Sequence, residues 1–164
     1  MSEKLKEIIN KQSVQKDSIV EQLDDVVQLV GFMIGDEEYA VPILAIQEII
    51  KPFEWTRVPQ VPNYVLGVFN LRGSVIPLID LRLKFGLPSK KQGEDTRFIV
   101  IRHENDVAGF VIDRLTMAIR IKKDNIGAAP DTLSGDDSII EGVGKQSDRI
   151  ITILKVNKLL ERTF

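Results

Sequence analysis

Few residues of this chain could carry out catalysis. Asp80 and Asp113 each follow an apolar run, and two carboxylates at a cleft could act as the acid and base of a hydrolase. Aspartate also caps turns and the first turn of helices, and we favour that role for both residues. His103 is the only histidine and lies in RHEND, where we expect a solvated hairpin turn rather than a general base. An enzyme is therefore the weaker hypothesis.

Phosphate-binding and metal-binding motifs are incomplete. The segment GVGKQS, residues 142–147, lacks the first glycine of a phosphate-binding loop and has Gln146 where that loop has Ser or Thr. The segment SGDDS, residues 134–138, is too short for a calcium loop. The sequence has no cysteine, which removes disulfides and thiolate ligands. We therefore predict neither a cofactor nor a metal.

One positive charge stands where a strand is about to enter an apolar core. Arg72 lies in the polar segment NLRGS, between the apolar runs 65–69 and 75–79. Glu48 interrupts the apolar segment AIQEII in a similar way. The planar arginine fork matches a carboxylate, so Arg72 could pair with Glu48. The alternative is that the two residues are unrelated surface charges. An exposed pair would contribute about 0.2–1 kcal/mol, whereas breaking a buried pair would cost about 3–5 kcal/mol.

The composition is that of a globular protein with no bias towards nucleic acid or membranes. The 164 residues carry a net charge of −2, with 24 acidic against 22 basic residues, and 6% are aromatic. A nucleic-acid surface needs basic residues and stacking aromatics, so we predict no nucleic-acid partner. No apolar run approaches the roughly 18 residues of a membrane span, and the charged amino terminus lacks the apolar core of a signal peptide. These features predict a cytoplasmic protein without direct membrane insertion.

Short strands must position the charged residues. From residue 26 onwards, apolar runs alternate with Gly, Pro and Asp turns, a pattern typical of small barrels or a sandwich. The polar segment 88–95 divides them into a first unit of roughly 26–87 and a second of roughly 94–164, and strands could be exchanged between the two. Residues 1–25 form an N-terminal extension, either helical or disordered.

The two units share a segment that recurs at an offset of 75 residues. Gly67 and Gly142 lie 75 positions apart. At the same offset, apolar residues match apolar residues in the two strands of each segment: Val68 with Val143, Ile76 with Ile151, and Leu78 with Ile153. Each segment is a glycine-led strand, a polar turn, an apolar strand and a short amphipathic tail. This pattern favours two related β units in one chain.

Several segments carry a family resemblance. GVFNLRGSVIPLIDLRLKFG, residues 67–86, resembles the signature of CheW-type chemotaxis coupling proteins: a glycine, Asn-Leu-Arg-Gly, an apolar strand with Pro, then Asp-Leu-Arg and Phe-Gly. YAVPILAIQEII, residues 39–50, and VAGFVIDRLTMAI, residues 107–119, resemble further elements of that family, as does the last glycine-led strand pair. The resemblance covers roughly residues 26–160.

This resemblance implies both a fold and a function. The fold would be mainly β, with two small five-stranded SH3/OB-like β-barrels around a shared core, short helices and a C-terminal helical turn. The protein would be a non-enzymatic adaptor that couples chemoreceptors to the chemotaxis histidine kinase and helps to assemble the receptor array. Its partners would be the regulatory domain of that kinase and the cytoplasmic tips of the receptors. It would be monomeric when alone, cytoplasmic, and recruited to membrane receptor arrays.

The resemblance also implies which residues belong to the partner surface. These are Ile46, Glu48, Gly67, Asn70, Arg72 and Gly73 in the first unit, and Gly109 and Ala118 in the second. Two alternatives stay open. The chain could be the coupling module of a larger adaptor that carries a receiver domain, or, in a different class, a small-barrel enzyme that uses Asp80 and Asp113.

Overall fold

A computed structural model describes residues 25–129 and 138–161, together with Glu3, Lys4 and Lys6. The prediction for residues 1–25 therefore lies almost wholly outside the described residues. The described chain is mainly β, as predicted. Its strands are β1 (Val26–Ile34), β2 (Glu37–Pro42), β3 (Ile46–Ile50), β4 (Val65–Leu71), β5 (Ser74–Asp80), β6 (Arg97–His103), β7 (Asp106–Ile112), β8 (Arg114–Lys122), β9 (Ile126–Gly127), β10 (Ile140–Gln146) and β11 (Arg149–Leu154). Two short helices, α1 (Leu81–Lys84) and α2 (Val156–Leu159), follow β5 and β11, so the predicted C-terminal helical turn is confirmed.

The strands form two sheets. The six-stranded sheet has the order β8-β1-β2-β11-β10-β9, and the five-stranded sheet has the order β3-β6-β7-β5-β4. Neighbouring strands are antiparallel except for one pair in each sheet, β2 with β11 and β5 with β7. Each sheet therefore combines strands from both sides of residues 88–95. Hydrogen bonding shows which strands share a sheet, and the division into units 26–87 and 94–164 with exchanged strands stays a prediction.

Each sheet is closed by the chain that leaves one of its edge strands. After β8 the chain makes a 3-10 turn at Lys123–Asn125 and enters β9, which pairs with β10 at the opposite edge. After β3 the chain returns to β4, where Thr56 and Val68 exchange backbone hydrogen bonds of 2.8 and 2.9 Å. These contacts cover part of an edge in each sheet, which limits its pairing with other chains. One sheet has six strands because its closing segment is a two-residue strand, whereas the other is closed by a single bridge.

The offset of 75 residues recurs in the observed elements. β4 and β10 correspond residue for residue at this offset, and so do α1 and α2. The register shift in the β4–β5 pair lies between Val65 and Gly67, and that in the β10–β11 pair lies at the equivalent residues, Ile140 and Gly142. The closing partner of Val68 also has its counterpart, because Val143 pairs with β9. The segments 65–84 and 140–159 are therefore two copies of one structural unit.

The core joins the two sheets. A central cluster takes buried side chains from both of them, including Phe32, Val41, Ile99, Phe110 and Leu154, so the predicted shared core is confirmed. A second cluster consists of buried side chains of the six-stranded sheet, and a third consists of buried side chains of the five-stranded sheet. Strands β6 and β7 contribute to both the central and the third cluster, which explains why their sequences read as continuous apolar runs instead of alternating.

Aromatic rings of the segment after β3 pack against buried rings of the five-stranded sheet. Phe53 and Phe69 meet edge to face at 5.3 Å between ring centroids, and Trp55 meets Phe98 edge to face at 6.3 Å. Phe69 and Phe98 are buried, whereas Phe53 and Trp55 are partly exposed. The chain between β3 and Thr56 is therefore held on the sheet by aromatic contacts, which contribute about 0.5–1.5 kcal/mol per pair beyond the area they bury.

Candidate protein-binding surface on the five-stranded sheet

The tight turn between β4 and β5 fixes the position of Arg72. Arg72 and Gly73 are its two central residues, with φ angles of 52° and 89°. Positive φ at both positions defines the type I′ turn that matches the twist of a hairpin. The side-chain oxygen Oδ1 of Asn70 accepts a hydrogen bond of 3.0 Å from the Gly73 backbone N–H. The motif Asn-Leu-Arg-Gly therefore builds a rigid turn with arginine at its tip.

Arg72 is paired with Glu48, which decides between the two alternatives that the sequence left open. Its Nη2 atom donates a hydrogen bond of 3.3 Å to Oε1 of Glu48, which lies on β3. The Arg72 side chain is 80% exposed and that of Glu48 is 22% exposed. At such exposure the pair contributes about 0.2–1 kcal/mol at most, so it has little weight in folding. The pair places the guanidinium beside Glu48 at the protein surface.

The glycines predicted as partner-surface residues have different surroundings. Gly73 is exposed, and a Cβ atom added there would have no heavy atom within 4 Å. Gly67 is buried, and a Cβ atom there would overlap the backbone carbonyl of Thr56. Gly109 is buried on β7, where an added Cβ atom would lie 2.7 Å from the Phe69 ring. The absence of a side chain at Gly67 and Gly109 therefore leaves room for Thr56 and Phe69 to pack closely. The influence of the two glycines on a partner stays a prediction.

The structure brings some of the predicted site residues together and separates others. Asn70, Arg72 and Gly73 share the β4–β5 turn, which Glu48 joins through its ion pair. Ile46 lies two residues from Glu48 on β3 and is half-buried against the central core. Ala118 is exposed, but it lies on β8 in the other sheet, where it pairs with Val30 of β1.

Two polar residues near the turn were not predicted from the sequence. Arg102, near the end of β6, donates a hydrogen bond of 2.9 Å from Nε to Oε1 of Gln47. Gln47 lies where the β3–β6 register shifts, between Ile46 and Glu48. A bulge of this kind re-aims side chains. Sequence alternation cannot reveal it, because an extra residue in a strand leaves no mark in a five-residue pattern.

The two carboxylates considered for catalysis have structural roles. Oδ1 of Asp80 accepts a hydrogen bond of 2.9 Å from the Arg82 backbone N–H and caps helix α1. Oδ2 of Asp113 accepts hydrogen bonds of 2.6 Å from Arg82 Nη1 and 2.8 Å from the Gly35 backbone N–H. These contacts indicate that Asp80 caps a helix and that Asp113 links Arg82 to the backbone of Gly35, and they do not indicate acid–base catalysis. No group of three or more His, Cys, Asp or Glu residues within the described chain could hold a metal ion.

Burial raises the pKa of Asp80 above its usual value, and hydrogen bonds from the backbone of α1 only partly oppose this. The folded protein therefore holds a proton on Asp80 more readily than the unfolded chain does. The contribution of Asp80 to stability consequently falls as the pH rises from the pKa of the unfolded chain through the higher pKa of the folded protein. We expect Asp80→Asn, which keeps a good helix cap, to gain stability relative to the native chain between pH 4 and pH 7. Urea unfolding at both pH values measures this difference. A relative loss for the variant at pH 7 would contradict it.

The β4–β5 turn presents a solvent-exposed arginine that pairs with Glu48 on β3, a strand of the same sheet. Among the described residues, no helix has the length and apolar character needed to cross a membrane. Residues 28–164 match the family model for the CheW-like domain. The chain belongs to the CheW family.

Individual relatives agree with this assignment. The chain is 55% identical over 165 residues to chemotaxis protein CheW of Helicobacter pylori, and the match covers 100% of both chains. It is 34% identical to chemotaxis protein CheW of Bacillus subtilis over 82% of this chain and 87% of that protein. The crystal structure of the scaffolding protein TtCheW from Thermoanaerobacter tengcongensis has a TM-score of 0.77 and 31% identity, covering 84% of this chain and 94% of that one. The chain is therefore a non-enzymatic chemotaxis scaffold that couples receptors to a kinase.

Proposed function

We propose that the chain binds the regulatory domain of the chemotaxis histidine kinase and the cytoplasmic tips of chemoreceptors. In this proposal it is cytoplasmic, monomeric when alone, and recruited to receptor arrays at the membrane. The observation that carries the proposal is the pair between Arg72 and Glu48. A guanidinium that is 80% exposed and pairs with Glu48 contributes little to folding, so we infer that it is present for binding.

Arg72→Ala tests this role. We expect the free energy of unfolding to fall by about 1 kcal/mol or less, because the pair is exposed. We expect binding of the kinase regulatory domain to weaken about tenfold or more, since interface arginines contribute disproportionately to affinity. Titration calorimetry, with unfolding in urea alongside, measures both quantities. Glu48→Ala should have a smaller effect on binding, because it leaves the guanidinium present but no longer paired.

Arg114→Ala is the matched control, since Arg114 is also exposed but begins β8 in the other sheet. A large loss of stability in Arg72→Ala, with binding reduced only in proportion, would contradict the proposed role of Arg72. Native protein that binds receptor tips but not the kinase domain would contradict the kinase half of the proposal. If Arg114→Ala weakens binding as much as Arg72→Ala does, the contact lies elsewhere or is a general effect of charge.

A further inference from the structure

A cleft lies beside the β4–β5 turn. Its lining comes from the β3 bulge, the β4–β5 hairpin and the β6–β7 hairpin, and it includes Gln47, Arg72, Val75, Arg102, Asn105 and Val107. These three elements come from both sides of residues 88–95. Position in the sequence therefore gives no sign that the two arginines border one cleft.

Neighbouring residues of the β3 bulge hold the two guanidiniums. Gln47 accepts a hydrogen bond of 2.9 Å from Arg102, and Glu48 accepts one of 3.3 Å from Arg72. A guanidinium has five N–H donors. Within residues 25–129 and 138–161, only one nitrogen of each guanidinium donates a hydrogen bond. Both side chains are exposed, so their remaining donors are available to a partner.

The cleft also has a defined charge and an apolar wall. Its lining includes two arginines and no carboxylate among the described residues. Glu48, outside the lining, pairs with Arg72, so Arg102 is the one of the two cations without a carboxylate partner in the described chain. Val75 borders the cleft and is 66% exposed, so its side chain is accessible to a partner. The cleft therefore combines two arginines, one of them already paired with Glu48, with an apolar contact at Val75. The complementary surface is a carboxylate next to an apolar side chain.

We propose that this cleft receives an acidic segment of a partner protein, whose Asp or Glu carboxylate is bound between Arg72 and Arg102 while a neighbouring apolar side chain packs on Val75. The inference rests on the proposed function for the identity of the partner, since an adaptor must present such a surface to the kinase domain or to the receptors. It adds Arg102, Asn105 and Val75 to the binding surface and assigns the partner contact a negative charge.

Arg102→Met tests the charge of the contact, because it keeps the length of the side chain and removes the guanidinium. Binding of the native full chain to the kinase regulatory domain and to a receptor-tip fragment is measured by calorimetry at several salt concentrations. With the partner that occupies the cleft, we expect about tenfold weaker binding for Arg102→Met, a shallower dependence of affinity on salt, and partial recovery in Arg102→Lys. The control Arg114→Met should bind like the native chain. Unchanged affinity and salt dependence in Arg102→Met with both partners would overturn the proposal.

A probe without either partner separates this inference from the proposed function. The peptide acetyl-Val-Glu-Val-Glu-amide is titrated into isotopically labelled full chain, with the glutamine version of the same peptide as its control. We expect saturable amide shifts at Val75 and Asn105 for the acidic peptide only, and their loss in Arg102→Met. If neither partner protein binds, the proposed function fails. The peptide titration then still tests whether the cleft binds a carboxylate next to an apolar side chain. Equal shifts with both peptides, or none at these amides, would overturn the inference.

Discussion

Replacing Gly67 with alanine is expected to lower the free energy of unfolding by about 3 kcal/mol or more, because the new methyl group has no space. An added Cβ atom would overlap the backbone carbonyl of Thr56 and approach Cα of Arg57 to 2.9 Å. Backbone atoms cannot move aside as a flexible side chain can. The bridge between Thr56 and Val68 closes the five-stranded sheet, so the substitution would open it. Urea unfolding followed by circular dichroism measures the loss.

The internal repeat supplies a matched control for Gly67→Ala. At the equivalent Gly142, an added Cβ atom would lie 2.8 Å from the Gly127 carbonyl oxygen, a milder conflict. We therefore expect Gly142→Ala to be less destabilising than Gly67→Ala. Gly73→Ala meets no atom, and its cost of about 1 kcal/mol comes from the φ angle of 89° alone. Equal losses in all three variants would contradict the steric account. If Gly67→Ala also binds its partner more weakly, we attribute that loss to the disrupted sheet and not to a lost contact.

Separating the chain into two halves is expected to abolish the fold of each half completely. β1 lies between β2 and β8 in the six-stranded sheet, and β7 lies between β6 and β5 in the other sheet. A half that ends near residue 90 keeps β3, β4 and β5 but lacks both strands that join β3 to β5. The other half keeps β8, β10 and β11 but lacks the hairpin between them. Neither half can complete a sheet, because both sheets require strands from the two halves.

A protease site inserted between Lys90 and Lys91, which are both exposed, tests this directly. The cleaved protein should stay assembled and keep its dispersed amide spectrum. After separation in denaturant, each half alone should show the narrow dispersion of an unfolded chain, and equimolar mixing should restore the native spectrum. The uncut protein carrying the same insertion is the control. An isolated half with a dispersed spectrum would contradict the requirement for both halves.

The sequence predicts local elements of this fold better than the pairing between them. The offset of 75 residues identified β4, β5, β10 and β11, because glycine positions and apolar alternation are local signals. The sequence alone could not assign the β1–β2 hairpin to the sheet that contains β8 and β11. Both sheets offer apolar surfaces, and alternation does not specify which strands pair. That choice depends on contacts such as Phe32 with the central core, which join residues distant in sequence.

The candidate site was predictable in part for the same reason. Arg72 and Glu48 stand out because each places a charge within apolar sequence, but the sequence alone left their pairing open. Arg102 and Gln47 give no such signal, since a strand that ends in Arg-His resembles many strands that run into a solvated turn. Only the register shift at Gln47 brings them together. The sequence therefore indicates half of the charged cleft, and the geometry of β3 supplies the other half.

The reciprocal use of strands has a consequence for how such a molecule can assemble. β1 and β2 complete the sheet formed by β8, β10 and β11, while β6 and β7 occupy the equivalent places beside β3, β4 and β5. Two separate copies of one repeat, each lending its hairpin to the other, would build the same pair of sheets as a symmetric homodimer. If residues 26–87 and 94–164 are the two predicted units, the segment 88–95 makes that association intramolecular. Assembly of units linked in this way does not depend on protein concentration.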